Sequence, residues 1–235
     1  MKNSPSDIYG GQDPRDVPAY TVAEAARYLR LAPATLRSWV IGRQYPRGND
    51  TAFFEPLIRL PDPSIAQLSF RNLVEAHVLR ALRIEHGISI RHVRIARDVA
   101  EKAFGIARLL LSPHLHTDAG DLFLDKYGEL VNLSTSGQLA MKKILEVFLK
   151  RVERDLYNMP SRLFPFIQRA YLDAPKVIVI DPYISFGRPV IQRKGISTAI
   201  IADRIDAGES VENLTEDYNL DSWEIEEAII YERAA

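Results

Sequence analysis

Polar side chains of the kinds that contact DNA bases and phosphates cluster between residues 35 and 47. Thr35, Arg37 and Ser38 fall in a short predicted helix, and Arg43 and Arg47 follow in a loop rich in Gly, Pro and Arg. A recognition helix contacts base edges from its N-terminal half, while nearby cations contact the phosphate backbone. Arginine is also the best donor to guanine O6 and N7. We therefore predict these five residues as DNA contacts.

Two short helices joined by a tight turn would position this set. Thr21 followed by Glu24 is a capping-box pattern that predicts the start of the first helix. The turn is predicted at residues 30–32, and Pro33 suits the first turn of the second helix, where its missing N–H costs nothing. The second helix should end at Gly42. This arrangement is typical of a helix-turn-helix.

The residues around this helix pair indicate a core and a wing. Leu36 and Trp39 are expected to pack inside, because they alternate with the polar positions of the second helix. The basic stretch 43–49 is followed by the apolar Phe53 and Phe54. A basic loop next to strand-forming residues has the character of a wing.

The remaining candidates for chemistry are weaker. His114 and His116 would share one face of a strand, with Asp118 and Asp121 close by, which is a spacing that a metal could use. Acidic pairs such as Asp203 with Asp206, or Glu224 with Glu227, are more often a solvated helix face. We expect no catalytic residue, no metal site and no cofactor, so the chain is predicted not to be an enzyme.

Composition and charge further limit the class of protein and the kinds of partner. The chain has 235 residues, no cysteine and a net charge of -1. Basic residues outnumber acidic ones between residues 20 and 108, whereas acidic residues dominate from 203 onward. The opposite charges of the two regions indicate two different partners. Only the basic region, 20–108, suits a partner that carries phosphate groups. The absence of cysteine, of an apolar run long enough for a membrane span and of a signal peptide predicts a cytoplasmic protein.

The middle of the chain predicts more helices and a hairpin. Apolar periodicity over 70–82 predicts a helix in which His77 packs in the core, and a second helix is expected over 93–104 after a cap at Ser89. Residues 122–133 have the pattern of a β-hairpin. An amphipathic helix is predicted from Gln138 to Leu156, and residues 158–161 break that pattern.

The C-terminal part predicts a small domain with an interaction surface. A strand at 177–180 is followed by three helical patterns, at 197–207, 210–218 and from 221 to the end. The last helix carries more apolar residues than so short an element needs, which indicates a second copy or a partner protein. The predicted interface residues are Trp223, Ile225, Ile229 and Tyr231.

The front half resembles the DNA-binding domain of MerR-type regulators. The residues that carry the resemblance are Thr35-Leu36-Arg37 in the recognition helix and Gly87-Ile88-Ser89, which opens a further helix. Tyr20-Thr21-Val22 and residues 68–73 also match. The chain departs from the family at Ser38 and Trp39, where two tyrosines are usual, and it lacks the long dimerising coiled coil.

The C-terminal part looks like a domain-of-unknown-function family found in antitoxins. Ile180-Asp181-Pro182, residues 186–191, residues 207–211 and residues 225–231 follow one another in the family's order. The usual Gly-Thr-Arg appears here as Arg193-Lys194-Gly195. Together the two halves resemble the longer VapB-type antitoxins, whose toxins are PIN-like ribonucleases.

These observations predict an α+β fold that is mainly α. A flexible arm (1–18) is expected before a MerR-like winged helix-turn-helix domain with a β-hairpin and a long helix (19–158), and a strand plus three-helix bundle domain (159–235) follows. The resemblance implies an antitoxin that binds its own operator as a homodimer and neutralises a PIN-like ribonuclease toxin directly. A stand-alone MerR-like regulator that senses a small molecule is the alternative, and a metal-dependent nuclease using the His114 region is a third.

Overall fold

The first two helices follow from their capping residues. The computed structural model describes residues 9–48, 50–83, 90–132, 134–167 and 175–233. Helix α1 (Val22–Tyr28) begins after Thr21, whose hydroxyl accepts a hydrogen bond from the Glu24 N–H, while the Glu24 carboxylate accepts one from the Thr21 N–H. Helix α2 (Pro33–Val40) begins at Pro33, as predicted.

A wing, which is a two-stranded sheet of its own, follows α2. Strand β2 (Arg43–Arg47) pairs antiparallel with β3 (Asp50–Phe54), so the predicted basic loop is itself a strand. A second small sheet pairs β1 (Tyr20–Thr21) with β4 (Gln67–Leu68). The winged helix-turn-helix predicted from the sequence is therefore confirmed.

Two longer helices support the wing and the helix pair. They are α3 (Phe70–Arg83) and α4 (Ile90–Phe104). The predicted cap at Ser89 lies outside the described residues. His77 is fully buried in α3, where its ring stacks on Phe166 at 5.8 Å and its Nε2 lies 3.0 Å from the Phe148 carbonyl oxygen. The prediction of a packed core histidine is confirmed.

The hairpin predicted over 122–133 is wrong, because residues 122–130 belong to a helix. Two 3-10 turns, Leu109–Leu111 and Pro113–His116, lead into α5 (Asp118–Leu130). Ala119, Phe123 and Tyr127 recur every four residues and are all buried. Gly128, which resembles a hairpin turn residue, instead lets the Gln138 side chain pack closely, since an added Cβ would lie 2.6 Å from its Nε2.

The predicted amphipathic helix is shorter than expected, and the predicted domain boundary falls inside a hairpin. Helix α6 (Thr135–Leu149) buries Met141, Leu145 and Phe148. The chain then forms β5 (Val152–Arg154) and β6 (Pro160–Leu163), so that Leu156 lies in the turn between two strands. Leu163 also pairs with Ile180, which links this hairpin to the C-terminal sheet.

The C-terminal part has the predicted strands and helices. A three-stranded antiparallel sheet contains β7 (Ile178–Val179), β8 (Val190–Ile191) and β9 (Ile196–Ser197) in that order. The helices are α7 (Thr198–Asp206), α8 (Val211–Tyr218) and α9 (Ser222–Arg233). Ser210 caps α8 by accepting a hydrogen bond from the Asn213 N–H, as its position predicted.

One continuous core connects the front and the C-terminal parts. The same cluster of buried apolar side chains contains Tyr20, Phe123, Ile178 and Tyr231. The boundary predicted between residues 158 and 159 therefore does not separate two cores. Among the described residues, every helix is too short or too polar to cross a bilayer.

Residues 9–18 are held against the rest of the fold. The Tyr9 hydroxyl donates to the Pro182 carbonyl at 3.2 Å, and the Arg15 guanidinium pairs with Asp155 at 2.6 Å. The Arg15 carbonyl accepts from the Arg71 N–H. The prediction of a flexible arm is wrong for these residues, and residues 1–8 lie outside the described part of the chain.

Candidate nucleic-acid interface

Helix α2 presents one exposed face and buries the other. Leu36 and Trp39 pack in the core as predicted, while Arg37 is exposed. The Trp39 carbonyl accepts hydrogen bonds from the N–H groups of Leu57 at 2.7 Å and Ile58 at 2.9 Å. The C-terminal end of α2 is thereby fixed to the chain that returns from the wing, so that Arg37 projects from a well-supported helix.

The other two α2 candidates differ in their access to solvent. Thr35 is half-buried, whereas Ser38 is only 8% exposed and its hydroxyl donates to the Thr35 carbonyl at 2.7 Å. This bond within the helix satisfies the Ser38 hydroxyl and turns it away from the exposed face. The prediction of Ser38 as a DNA contact is wrong.

The wing exposes both of its faces. Arg43 is exposed at its base, and Tyr45 and Phe53 are exposed on β2 and β3. Arg47 ends β2 opposite Asp50, and its side chain lies outside the described part of the structure. Arg43 and Tyr45 lie two residues apart along the strand and therefore share one face of the ribbon.

Two arginines of α4 hold the root of the wing, a role that the sequence analysis missed. The Arg94 guanidinium lies 4.6 Å from the centre of the Phe54 ring and donates to the Glu55 carbonyl. Arg97 donates to the Leu57 carbonyl at 2.8 Å. Burial and then the neighbouring Arg97 lower the pKa of Arg94 from its usual value. The spacing of Arg91, Arg94 and Arg97 is the sequence signal that could have shown a common helix face.

Gly42 sets the angle between α2 and the wing. Its φ is +85°, and an added Cβ would lie 2.2 Å from the Phe54 carbonyl oxygen and 2.6 Å from the Phe53 ring. These contacts leave no room for a side chain at the point where the helix ends and β2 begins.

Replacing Gly42 by alanine is expected to open the wing root. We expect a stability loss of about 1–3 kcal/mol from backbone strain and the clash, and weaker DNA binding because the wing is displaced. Thermal unfolding and fluorescence anisotropy with operator DNA measure the two effects. Gly48→Ala is the matched control, because Gly48 also has a positive φ (+63°) but no neighbour within 4 Å. Equal losses in the two variants would contradict the role of the close contact.

The C-terminal part packs against α1, the helix that precedes α2. The Tyr231 hydroxyl donates to the Tyr28 carbonyl at 3.2 Å, and the Arg30 guanidinium lies 4.7 Å from the Tyr231 ring centre. Glu232 pairs with Arg27. We call this set of contacts the α1 junction.

A loop of the C-terminal part contacts the other end of α1 and extends the junction. The Tyr20 hydroxyl donates to the Gly187 carbonyl at 3.0 Å, and Arg188 pairs with Glu24 at 2.6 Å. Burial raises the pKa of Tyr20 above its usual value, which keeps this phenol protonated as a donor.

The junction corrects part of the predicted interaction surface. Tyr231 and Ile225 are buried within the chain, Ile229 is half-buried, and Trp223 is exposed. The prediction of an intermolecular contact is therefore wrong for Tyr231 and Ile225. The apolar excess of α9 is explained by its packing on α1 and α7.

The residues that the sequence offered for acid–base or metal chemistry do not come together in a common site within the described residues. His114 and His116 belong to a 3-10 turn rather than to the predicted strand, and the side chain of His116 lies outside the described part of the structure. Glu224 is buried and pairs with Arg193 at 2.5 Å, and Asp206 pairs with Arg233 at 2.6 Å. Within the described ranges, no group of three or more His, Asp or Glu side chains could hold a metal ion.

Known proteins match both parts of this arrangement. Residues 18–96 match a family described as "Putative DNA-binding HTH domain", and residues 178–231 match "Protein of unknown function (DUF433)". The chain is 32% identical over 232 residues to the "putative antitoxin VapB45" of Mycobacterium tuberculosis, covering 91% of this chain and 93% of that protein. The chain belongs to the VapB45 antitoxin family.

Two further relatives come from the same organism. "Uncharacterized protein Rv2308" is 25% identical over 225 residues, covering 92% of this chain and 90% of that protein. The crystal structure of Rv2018 superposes with a TM-score of 0.66 at 25% identity, covering 91% of this chain and 98% of that one. The chain therefore matches nearly the whole length of both relatives and shares its fold with Rv2018. The α1 junction joins the two family segments of this antitoxin-type chain.

Proposed function

We propose that this chain is an antitoxin that represses its own operon and neutralises a PIN-like ribonuclease toxin by direct binding. The observation that carries the proposal is an exposed, arginine-bearing face of α2 in a chain that shares 91% of its length with a putative antitoxin. Arg37 would contact bases, and Arg43 with Arg47 would contact phosphates on either side. Thr35 is retained as a candidate contact at the edge of this face.

Operator binding by this domain calls for two copies of the chain. A single winged helix-turn-helix covers one half-site, and specific affinity generally comes from two half-sites related by a two-fold axis. We therefore propose a homodimer on the operator. Trp223, exposed at the start of α9, is the member of the predicted interface set most accessible to a second protein.

Neutralisation of the toxin needs no chemistry from this chain. The C-terminal part is acidic, which disfavours nucleic acid and favours a protein whose own surface is basic because it binds RNA. Binding would inhibit the ribonuclease by covering its substrate site or the carboxylates that hold its metal ion.

The test pairs the purified chain with candidate PIN-like ribonucleases from the same organism. We expect a stable complex by size-exclusion chromatography, loss of ribonuclease activity on addition of the chain, and binding of the chain to its own promoter in a gel-shift assay. The absence of both complex and inhibition would contradict the antitoxin proposal. Promoter binding without either would favour the stand-alone regulator.

A cavity between the wing root and the helices favours that second candidate. Its volume is about 690 Å³, within the size range of small-molecule sites. Polar groups from five parts of the chain line it, among them Asp16, Arg59, Asn72, Glu101 and Arg108. A ligand here would touch the segment that follows the wing and could shift DNA affinity. Isothermal titration with metabolite pools, followed by promoter binding in their presence, tests it.

A further inference from the structure

Arg91 is exposed in the first turn of α4, where the fold itself does not use it. Arg94 and Arg97, the next two arginines of the helix, bond to the wing root. Arg91, by contrast, makes no hydrogen bond or ion pair in the part of the chain that the structure describes. The helix dipole disfavours a cation in the first turn, and α4 has no acidic residue there. Neither packing nor helix stability therefore explains this arginine.

The contacts of α4 place Arg91 beside the wing. Arg97 donates to the Leu57 carbonyl, and Arg94, three residues earlier, donates to the Glu55 carbonyl. Helix α4 and the chain that leaves β3 therefore run in opposite directions along each other. A further step of three residues moves about 4.5 Å along a helix axis. This step brings Arg91 level with the middle of β3.

Helix α4 lies against one face of β3. Ala52 and Phe54 are half-buried, whereas Thr51 and Phe53, which alternate with them and point to the opposite face, are exposed. The Arg94 guanidinium lies over the Phe54 ring. The face toward α4 is therefore the one that carries Ala52 and Phe54.

Strand β2 contributes Arg43 and Tyr45 to the same face of the wing. Arg43 is paired with Phe54, and Tyr45 is paired with Ala52. Directly paired residues of an antiparallel ladder have their side chains on one face, with Cβ atoms about 4.5–5.5 Å apart. Arg43 and Tyr45 are both exposed, so this edge of the wing is open to a ligand.

These placements bring together four residues, which we call the wing–α4 site: Arg43, Tyr45, Arg91 and Arg94. The chain that surrounds the site, residues 43–62 and α4, carries seven Arg and Lys residues against five Asp and Glu residues. The two acids of α4 lie within ion-pair distance of Arg97 and are neutralised within the chain. The site therefore has a net positive charge and fits an anion.

Arg94 is a cation that the chain leaves poorly compensated. Burial and then the neighbouring Arg97 lower its pKa, and the attractions of Asp98 and Glu55 do not cancel this effect. Arg94 bonds to the carbonyl of Glu55 rather than to its carboxylate. An anion held between Arg91 and Arg94 would be stabilised by both guanidinium groups.

The donors of the site match a phosphate group. A guanidinium presents paired N–H donors that fit two phosphate oxygens, and a tyrosine hydroxyl adds a neutral donor. Contacts of this kind to the DNA backbone fix the position of a protein on the duplex. Arg43 begins β2 only three residues after α2 ends, so a duplex bound by α2 would pass close to the site.

We propose that the wing–α4 site binds a phosphate group of the operator backbone, with Arg91 as a contact outside the helix pair and the wing. This inference rests on the proposed DNA-binding function and extends its contact surface to α4. Arg43 and Arg91 bind the phosphate from two sides, and Tyr45 donates its hydroxyl. Arg94 adds positive charge while it keeps the wing root in place.

The test measures the affinity of the full chain for its promoter DNA and for DNA of unrelated sequence. Arg91→Ala should weaken binding to both DNAs roughly 10-fold at 50 mM salt, because a phosphate contact carries no base information. One lost phosphate contact also lowers the salt slope by about 0.9. The difference in affinity between the original chain and the variant should therefore shrink about 3-fold between 50 and 200 mM salt.

Lys102→Ala is the matched control for Arg91→Ala. It removes an exposed cation from the same helix, roughly 16 Å farther along the axis, and should change neither the affinity nor the salt slope. Arg91→Lys keeps the charge but loses the paired donors, so it should retain the slope and recover part of the affinity. Thermal unfolding of all three variants should match the original chain, since Arg91 and Lys102 are both exposed.

Each outcome decides the inference. Unchanged affinity and slope in Arg91→Ala overturn the site and leave DNA binding standing, whereas no promoter binding by the original chain overturns both. Equal losses in Arg91→Ala and Lys102→Ala indicate a general effect of charge and also overturn the site. Isothermal titration with inorganic phosphate distinguishes a free anion. Phosphate binding that Arg91→Ala abolishes, with promoter binding unchanged, would assign the site to a free anion and overturn the proposal.

Discussion

Arg37→Ala is expected to weaken operator binding by about 1–3 kcal/mol, roughly 5- to 150-fold, and to relax the preference for one base pair. Arg37 is exposed on the face of α2 that is free of core contacts, so its guanidinium is available to a guanine edge. Fluorescence anisotropy with the operator and with single-base variants measures both effects. The variant should discriminate less than the original chain at one position and equally at the others.

The control for this prediction separates base contacts from phosphate contacts. Arg47→Ala should weaken binding to all sequences alike and should reduce the salt dependence of binding, because one phosphate contact is lost. Lys142→Ala removes a cation on α6 that pairs with Asp121, and it should leave DNA binding unchanged. If Arg37→Ala and Lys142→Ala behave alike, α2 is not the recognition helix.

Lowering the pH from 7 to 5 is expected to destabilise the protein by about 2 kcal/mol through His77 alone. Burial and then the nearby Arg80 and Arg151 lower the pKa of His77 from 6.5 to about 3, against a hydrogen bond to the Phe148 carbonyl that favours the charged form. The unfolded chain therefore binds a proton below pH 6.5 that the folded chain binds only near pH 3. The contribution of neutral His77 to the free energy of unfolding is complete above pH 6.5 and is lost as the pH falls toward 3.

His77→Gln isolates this contribution. A glutamine amide can still donate to the Phe148 carbonyl but does not titrate, so the slope of unfolding free energy against pH between 5 and 7 should flatten. The total stability should also fall, because the stacking on Phe166 is lost. An unchanged slope in His77→Gln would contradict the assignment; urea unfolding at several pH values provides the data.

The sequence predicted those elements whose determinants are local. Thr21 and Glu24 lie three residues apart and cap the same helix, and Pro33 begins the next one. Ser210 caps α8 in the same way. In each case the residues that cap or begin the helix lie within a few positions of each other, so a short stretch of sequence is enough to predict where the helix begins.

The α5 helix could not be predicted from a short window. Residues 125–129 contain Asp and Gly in an order that is typical of a turn. The helix is favoured because Phe123 and Tyr127 enter the core and because Gln138 from α6 fills the space at Gly128. These partners come from other elements, so long-range packing overrides the local preference.

The candidate site shows the same limit. The exposure of Arg37 follows from the periodicity of α2, but the burial of Ser38 depends on how the helix is rotated against α1 and the wing. Tyr231 could not be assigned from the sequence because its partners, Tyr28 and Arg30, lie about two hundred residues earlier in the chain. The sequence analysis counted Arg94 and Arg97 of α4 only as part of the basic region and did not predict their contacts with the wing.

The α1 junction has a geometric consequence for an assembly on DNA. Contacts at Tyr20, Arg27 and Tyr28 tie the C-terminal part to the helix that precedes α2, without a flexible linker at these points. A protein bound to the C-terminal part would therefore have a fixed orientation relative to the groove that α2 would occupy in the proposed DNA complex. Two half-sites that are separated by a whole number of DNA turns, about 10 base pairs each, lie on the same side of the duplex. The spacing between half-sites would then determine whether proteins bound to the two C-terminal parts face each other or clash.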